Sequence, residues 1–160
     1  KTNPKPVRDP IPLLIGGKGS KRTLPLVARE AAEWNFSRLN PDEFRERRDE
    51  LDRCCREIGR DPATVRRSVM TSFIVGRSRA DVLERASQVR EVVTPLGSLS
   101  TPEEVLDNRK DAWFVGTPEE IAERMRELSK LGIDLFMLQH FLLDDGDALQ
   151  LLGEVAKSLQ

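Results

Sequence analysis

The chain has 160 residues, 38% hydrophobic and 33% charged, which suits one globular domain with a sizeable core and a heavily solvated surface. Its net charge of −1 provides no global field to recruit nucleic acid or an anionic membrane, and no apolar run approaches the roughly 18–20 residues of a membrane span. The start has neither a Met nor the apolar stretch of a secretory signal, so residues 1–10 read as a linker and the chain as a piece of a longer protein.

The first expected strand is the apolar segment 11–15. It runs into Gly16-Gly17-Lys18-Gly19-Ser20-Lys21-Arg22, ahead of a helix rich in Leu and Ala. Glycine removes the Cβ, so the backbone can turn sharply and a ligand can approach its N–H groups. The helix that follows points its N-terminal amides and positive dipole end into the same space. Lys18, Lys21 and Arg22 add positive charge. These features fit a seat for phosphate or another anion, and they also fit a tight strand-to-helix connection with no ligand. The spacing is neither GxGxxG nor GxxxxGKS.

A second, weaker strand is expected at 32–36, with Trp34 and Asn35 near its end. There Asn35 would hydrogen-bond a ligand and Trp34 would wall a pocket, or both would anchor the strand. Asn40-Pro41-Asp42-Glu43 combines an N-cap, a proline at the first helical position and first-turn acids, and Gly59 supplies the stop. Within that helix Leu51, Cys54, Cys55 and Ile58 recur at i, i+3, i+4, i+7, which marks them as its buried side. A disulfide between adjacent cysteines is strained and no metal-ligand spacing is present, so packed, reduced thiols in a cytoplasmic protein are the simpler reading.

The third strand is expected at 69–75, followed by a helix over 79–92 capped by Ser78. The stretch 94–112 breaks the rhythm and reads as an insertion, although Thr101-Pro102-Glu103-Glu104 repeats a helix cap. Thr117-Pro118-Glu119-Glu120 is a capping box, and the helix it opens carries Ile121, Met125, Leu128 and Leu131 as an apolar stripe before Gly132. The last strand, 134–139, is almost continuously apolar, as buried parallel strands tend to be. His140, the single histidine, follows it, placed to orient substrate or shuttle a proton, or simply to be a polar loop residue.

Four strand–helix units in succession argue an α/β fold, with (βα) repeats forming a parallel sheet with right-handed crossovers. Four such units are half of an eight-stranded barrel. A half barrel leaves two strand edges and one interior face open, so it needs its other half, a dimer mate or some refolding.

The order of the motifs resembles the luciferase-like monooxygenase superfamily. The matching residues are Pro12…Ile15-Gly16-Gly17-Lys18-Gly19-Ser20-Lys21-Arg22-Thr23-Leu24, then Ala28-Arg29-Glu30-Ala31-Ala32-Glu33-Trp34-Asn35, then Phe114-Val115-Gly116-Thr117-Pro118-Glu119-Glu120-Ile121-Ala122 and Gly132-Ile133-Asp134. Ala32-Glu33 stands where the family usually has Asp-Gly. The resemblance implies that residues 1–160 are the C-terminal half of a TIM (β/α)8 barrel, roughly strands five to eight. It implies a flavin- or F420-dependent oxidoreductase or monooxygenase, moving a hydride between a (deaza)flavin and a small organic substrate at the barrel mouth. The style resembles the branch using coenzyme F420, and FMN members share the motifs. The family's glycine turn lies near the cofactor's phosphate or ribityl tail, which carries onto Ile15, Gly16, Gly17, Lys18 and Gly19. Asn35 and His140 are the candidates on the substrate side. The family's other cofactor contacts lie in the N-terminal half, so no catalytic residue is assigned and no metal is expected. Two alternatives stay open: a non-catalytic half barrel that self-associates, and a module binding a phosphate ligand. The expected partners are a small-molecule substrate and further copies of the chain, without nucleic acid or membrane.

Overall fold

In the computed structural model, residues 3–8 and 10–160 are described, and their strands and helices alternate as the apolar periods and caps require. Strand β1 (Leu14–Gly16) leads to helix α1 (Thr23–Glu30), β2 (Glu33–Ser37) to α2 (Pro41–Glu57), and β3 (Arg66–Val75) to α3 (Arg79–Val92). Helix α4 (Pro102–Arg109) and strand β4 (Phe114–Gly116) precede α5 (Pro118–Ser129), and β5 (Leu135–Gln139) leads to α6 (Gly146–Ser158).

All strand pairs are parallel. β2 lies between β1 and β3, and β5 pairs with β3, giving the order β1-β2-β3-β5. β3 pairs with β2 through Met70 and with β5 through Ser72. Its last three residues, Phe73, Ile74 and Val75, pair with β4. The α/β class and the four strand–helix units expected from the sequence are therefore present.

Alternation sets two faces. Trp34, Phe36 and Val69 point to the helices and are fully buried. Trp34 stacks on Phe44 of α2 at 5.6 Å between centroids, and Phe36 meets both rings edge-on. Glu33, Asn35, Ser68, Met70 and Met137 lie in register on the other face, the inner side of the half barrel. That face is only partly covered, with Leu14 50% and Met70 45% exposed. A second core, under the 94–112 stretch, packs Ile74, Val82, Val89, Leu106 and Trp113.

The caps form as written. Asn40, Ser78, Thr101 and Thr117 each accept from the backbone N–H three residues on, and Thr117 and Glu120 complete a reciprocal box. The Thr101 cap lacks the reciprocal half, because the Glu104 carboxylate accepts from the Ser100 N–H instead. Gly59 and Gly132, at φ +74 and +85, follow the ends of α2 and α5.

Four details differ from expectation. The first strand is limited to Leu14–Gly16, because Pro12 has no N–H to donate and, among the described residues, 11–13 join the backbone hydrogen bonding only through Leu13 O. Ile58 is 56% exposed, since it falls just past the last turn of α2. The 94–112 stretch carries a regular helix, α4, and shares the second core with β3 and α3. The strand β4 was not foreseen, being only three residues long. Of the linker 1–10, residues 1, 2 and 9 lie outside the described residues, and the remainder has no regular element.

Candidate functional site

The C-terminal ends of parallel strands form one rim, and loops there carry ligands in open and closed α/β sheets. The glycine turn after β1 is built against β2. The Gly17 N–H donates to Asn35 O at 3.2 Å, and Trp34 Nε1 donates to Gly17 O at 2.8 Å. Gly17 sits at φ +124, and a Cβ there would lie 3.1 Å from Thr23 Cγ2. A Cβ at Gly19 would lie 3.0 Å from Thr23 Oγ1. Part of the need for glycine is thus close packing onto the start of α1. Gly16 differs, since a Cβ there would meet nothing closer than Asn35 O at 3.8 Å.

The N–H groups of Lys18, Gly19, Ser20 and Lys21 have no hydrogen-bond partner among the described residues, and α1 begins without a side-chain cap. The turn therefore presents donors at the positive end of a helix. The Lys18 charge is spent locally: Nζ lies 2.6 Å from the Glu43 carboxylate and 4.1 Å from the Phe36 ring centroid. Ile15 is half-buried and packs on the main core.

Asn35 is placed beside Gly16 in the β1–β2 register. It is 7% exposed, and its Nδ2 donates to Ser68 Oγ at 2.9 Å and to Met137 Sδ at 3.5 Å. His140 is not brought to this group. Its ring stacks on Phe73 at 4.9 Å, and Nε2 lies 3.3 Å from Asp145 O. The residues on either side of it, Gln139 and Phe141, line a cavity of about 680 Å³ over the ends of β2 and β5 and the middle of β3. Ser37, Arg38, Arg109 and Trp113 also line it. Sequence reasoning missed this second group. Arg38 was within reach of it, as the residue directly after a strand, whereas nothing in the spacing links it to Arg109.

Behind His140, Arg85 of α3 bonds both Asp145 and Asp147 at the start of α6, at 2.6 and 2.9 Å. Hydrogen bonds from Arg77 and Arg85 hold the Asp147 carboxyl down to about 2, and Arg85 also lowers Asp145. Burial pushes the Cys54 and Cys55 thiols up. Among the described residues no cluster of three or more His, Cys, Asp or Glu is arranged to hold a metal ion, and no helix is long and apolar enough to cross a membrane.

Comparison with known proteins places this geometry. The fold is similar to the crystal structure of a long-chain alkane monooxygenase, at TM-score 0.73 and 18% identity, covering 92% of this chain and 40% of that one. It is similar to an F420-dependent secondary alcohol dehydrogenase in complex with an F420-acetone adduct, at TM-score 0.72 and 19% identity, covering 95% and 50%. It is also similar to the coenzyme F420-dependent tetrahydromethanopterin reductase from Methanopyrus kandleri, at TM-score 0.68 and 19% identity, covering 94% and 51%. The chain thus spans about half the length of these structures or less. None of the curated proteins matches it. The family model for luciferase-like monooxygenases matches residues 1–135, and with most of its length so matched, the chain belongs to the luciferase-like monooxygenase family.

Proposed function

We propose that the chain is the C-terminal half of a flavin- or F420-dependent oxidoreductase acting on a small organic substrate. The observation that carries this reading is the turn after β1, whose backbone N–H groups from Lys18 to Lys21 have no partner among the described residues just ahead of an uncapped α1. Membership of the family and likeness to F420-dependent enzymes support the cofactor class. The residues fit the tail of such a group. Lys18, Gly19, Ser20 and Lys21 offer N–H groups to a phosphate or ribityl oxygen, and glycine keeps the approach clear. When bound, the (deaza)flavin ring supplies a hydride donor or acceptor. This chain holds the tail, while Asn35, fixed by Ser68 beside Gly16, presents a polar wall to the same rim.

The test titrates the protein and its Gly16→Ala and Gly17→Val variants against F420 and FMN. Gly17→Val combines ligand crowding with strain at positive φ. Gly16→Ala has room within the protein, so a loss there reports the ligand. We expect affinity to fall at least about tenfold in a folded Gly16→Ala variant, the equivalent of one good charge-assisted hydrogen bond. Unchanged affinity for both cofactors in both folded variants would sink the reading.

One observation favours a second reading, a half barrel that associates with itself. The outer edges of β1 and β5 have no strand partner among the described residues, and Leu14 and Met70 are exposed on the inner face.

A further inference from the structure

We infer that the cavity over the ends of β2 and β5 and the middle of β3 is a substrate pocket selective for anions, in which Arg38 and Arg109 receive a carboxylate or phosphate on an apolar ligand. The inference rests on the proposed function only in taking the ligand to be the substrate. Its physical basis is separate.

The first ground is charge. Two arginines and no aspartate or glutamate line this cavity. Elsewhere many of the arginines are engaged, although among the described residues Arg22 and Arg79 are not. Arg53, Arg67, Arg77 and Arg85 hold carboxylates, and Arg60 and Arg124 hold backbone carbonyls. Arg38 and Arg109 hold neither among the described residues, and Arg109 Nε is buried with no hydrogen-bond partner. Arg47 Nε and Arg67 Nε are buried without a partner as well, so what sets this pair apart is two uncompensated guanidinium charges on one cavity.

Preorganisation is the second ground. The Arg109 guanidinium lies 5.1 Å from the Trp113 ring centroid, and Trp113 is in turn packed on Phe141 at 5.4 Å. The cation is thus held on a fixed aromatic shelf. Arg38 is exposed and sits at φ 61, a conformation that a long side chain rarely adopts and that tends to persist at functional sites. Its N–H is tied to Met70 O at 3.3 Å, which fixes where the side chain begins.

Size is the third. A volume of about 680 Å³ suits a small organic molecule rather than a single ion. Met70, Trp113 and Phe141 provide apolar walls, and Ser37, Ser72 and Gln139 provide neutral polar groups. The ligand so described has an apolar body and one negative end.

Calorimetric titration of the 160-residue chain tests this with four probes: cyclohexanecarboxylate, its uncharged carboxamide, inorganic phosphate and FMN. The carboxylate should bind at least about tenfold more tightly than the amide, and Arg109→Gln should remove about tenfold of its affinity. Arg38→Gly is the control for a purely structural role. Glycine relieves the positive φ, so the variant should be at least as stable as the parent while losing a similar factor in carboxylate affinity. Phosphate should compete with the carboxylate and lose affinity in the same two variants. Equal binding of carboxylate and amide, or carboxylate binding unchanged in the Arg38→Gly/Arg109→Gln double variant, would overturn the inference. So would displacement of the carboxylate by FMN that depends on the two arginines, since the cavity would then hold a cofactor tail. Carboxylate binding that survives Gly16→Ala and Gly17→Val, where neither change affects F420 or FMN affinity, would remove the oxidoreductase reading and leave this pocket standing.

Discussion

Cys55 is fully buried and Cys54 is 7% exposed, both packed in the main core on the side of α2 that also carries Leu51. Burial pushes both thiols up, away from the reactive thiolate form. Both should therefore react slowly with a thiol reagent in the folded protein, and Cys55→Ala should cost about 1 kcal/mol or more through lost packing. Rapid labelling of both under native conditions would contradict this, and chemical denaturation of the variant gives the energy. Their burial was legible because the spacing from Leu51 is helical and local. Ile58 followed the same spacing and is exposed, because periodicity says nothing about where the last turn stops. At the candidate site the glycines and Asn35 were legible from residue type and position. Arg38 and Arg109 were not, since only the tertiary fold brings the end of α4 and the end of β2 to one cavity, and no sequence period connects them.

Helix α3 is tied to the start of α6 by one arginine. Arg85 bridges Asp145, which caps α6 through the Ala148 N–H, and Asp147 in the first turn. Both carboxyls are held below their ordinary range, Asp145 by Arg85 and Asp147, at about 2, by Arg77 first and then Arg85, against about 3.9 in an unfolded chain. Groups lowered in the fold stabilise it fully above the unfolded value and cease to do so as pH falls through the folded one. The contribution of this tether should thus be constant near neutrality and fade between about pH 4 and pH 2. Arg85→Gln should lower thermal stability at pH 7 and flatten the acid limb of the stability curve across that window. A variant whose acid limb matches the parent would show that the tether contributes nothing. Elements with a strong local cap, such as α2 and α5, were readable from Asn40-Pro41 and Thr117-Pro118. β4 was not readable as a strand, because three residues become one only by pairing with Phe73, Ile74 and Val75 of β3.

For the whole molecule the open inner face is the dominant fact. Leu14 and Met70 are half exposed beside Leu13 at 48%, and the outer edges of β1 and β5 carry unpaired backbone groups. Covering them would remove apolar area from water at roughly 25 cal/mol per Å². The isolated chain should therefore self-associate at micromolar concentration, with a sedimentation coefficient that rises with concentration. A monodisperse monomer across that range would exclude the self-associating reading. The alternation of strand and helix was legible throughout, because each unit announces itself by period and cap. The shared position of β3 was not, since nothing local says that one ten-residue strand meets three others. That position has a consequence for synthesis. β3 finds β2 immediately behind it in the chain, but away from β2 its last three residues wait for β4, which begins at Phe114, and the stretch before them waits for partners that begin with Asp134, 67 residues beyond Arg67. At a ribosomal rate of roughly 5–20 residues per second, one edge of the central strand stays bare for roughly 3–13 s after it emerges. During that interval the nascent chain offers the ribosome-associated chaperones, and neighbouring nascent copies, the most adhesive strand it has.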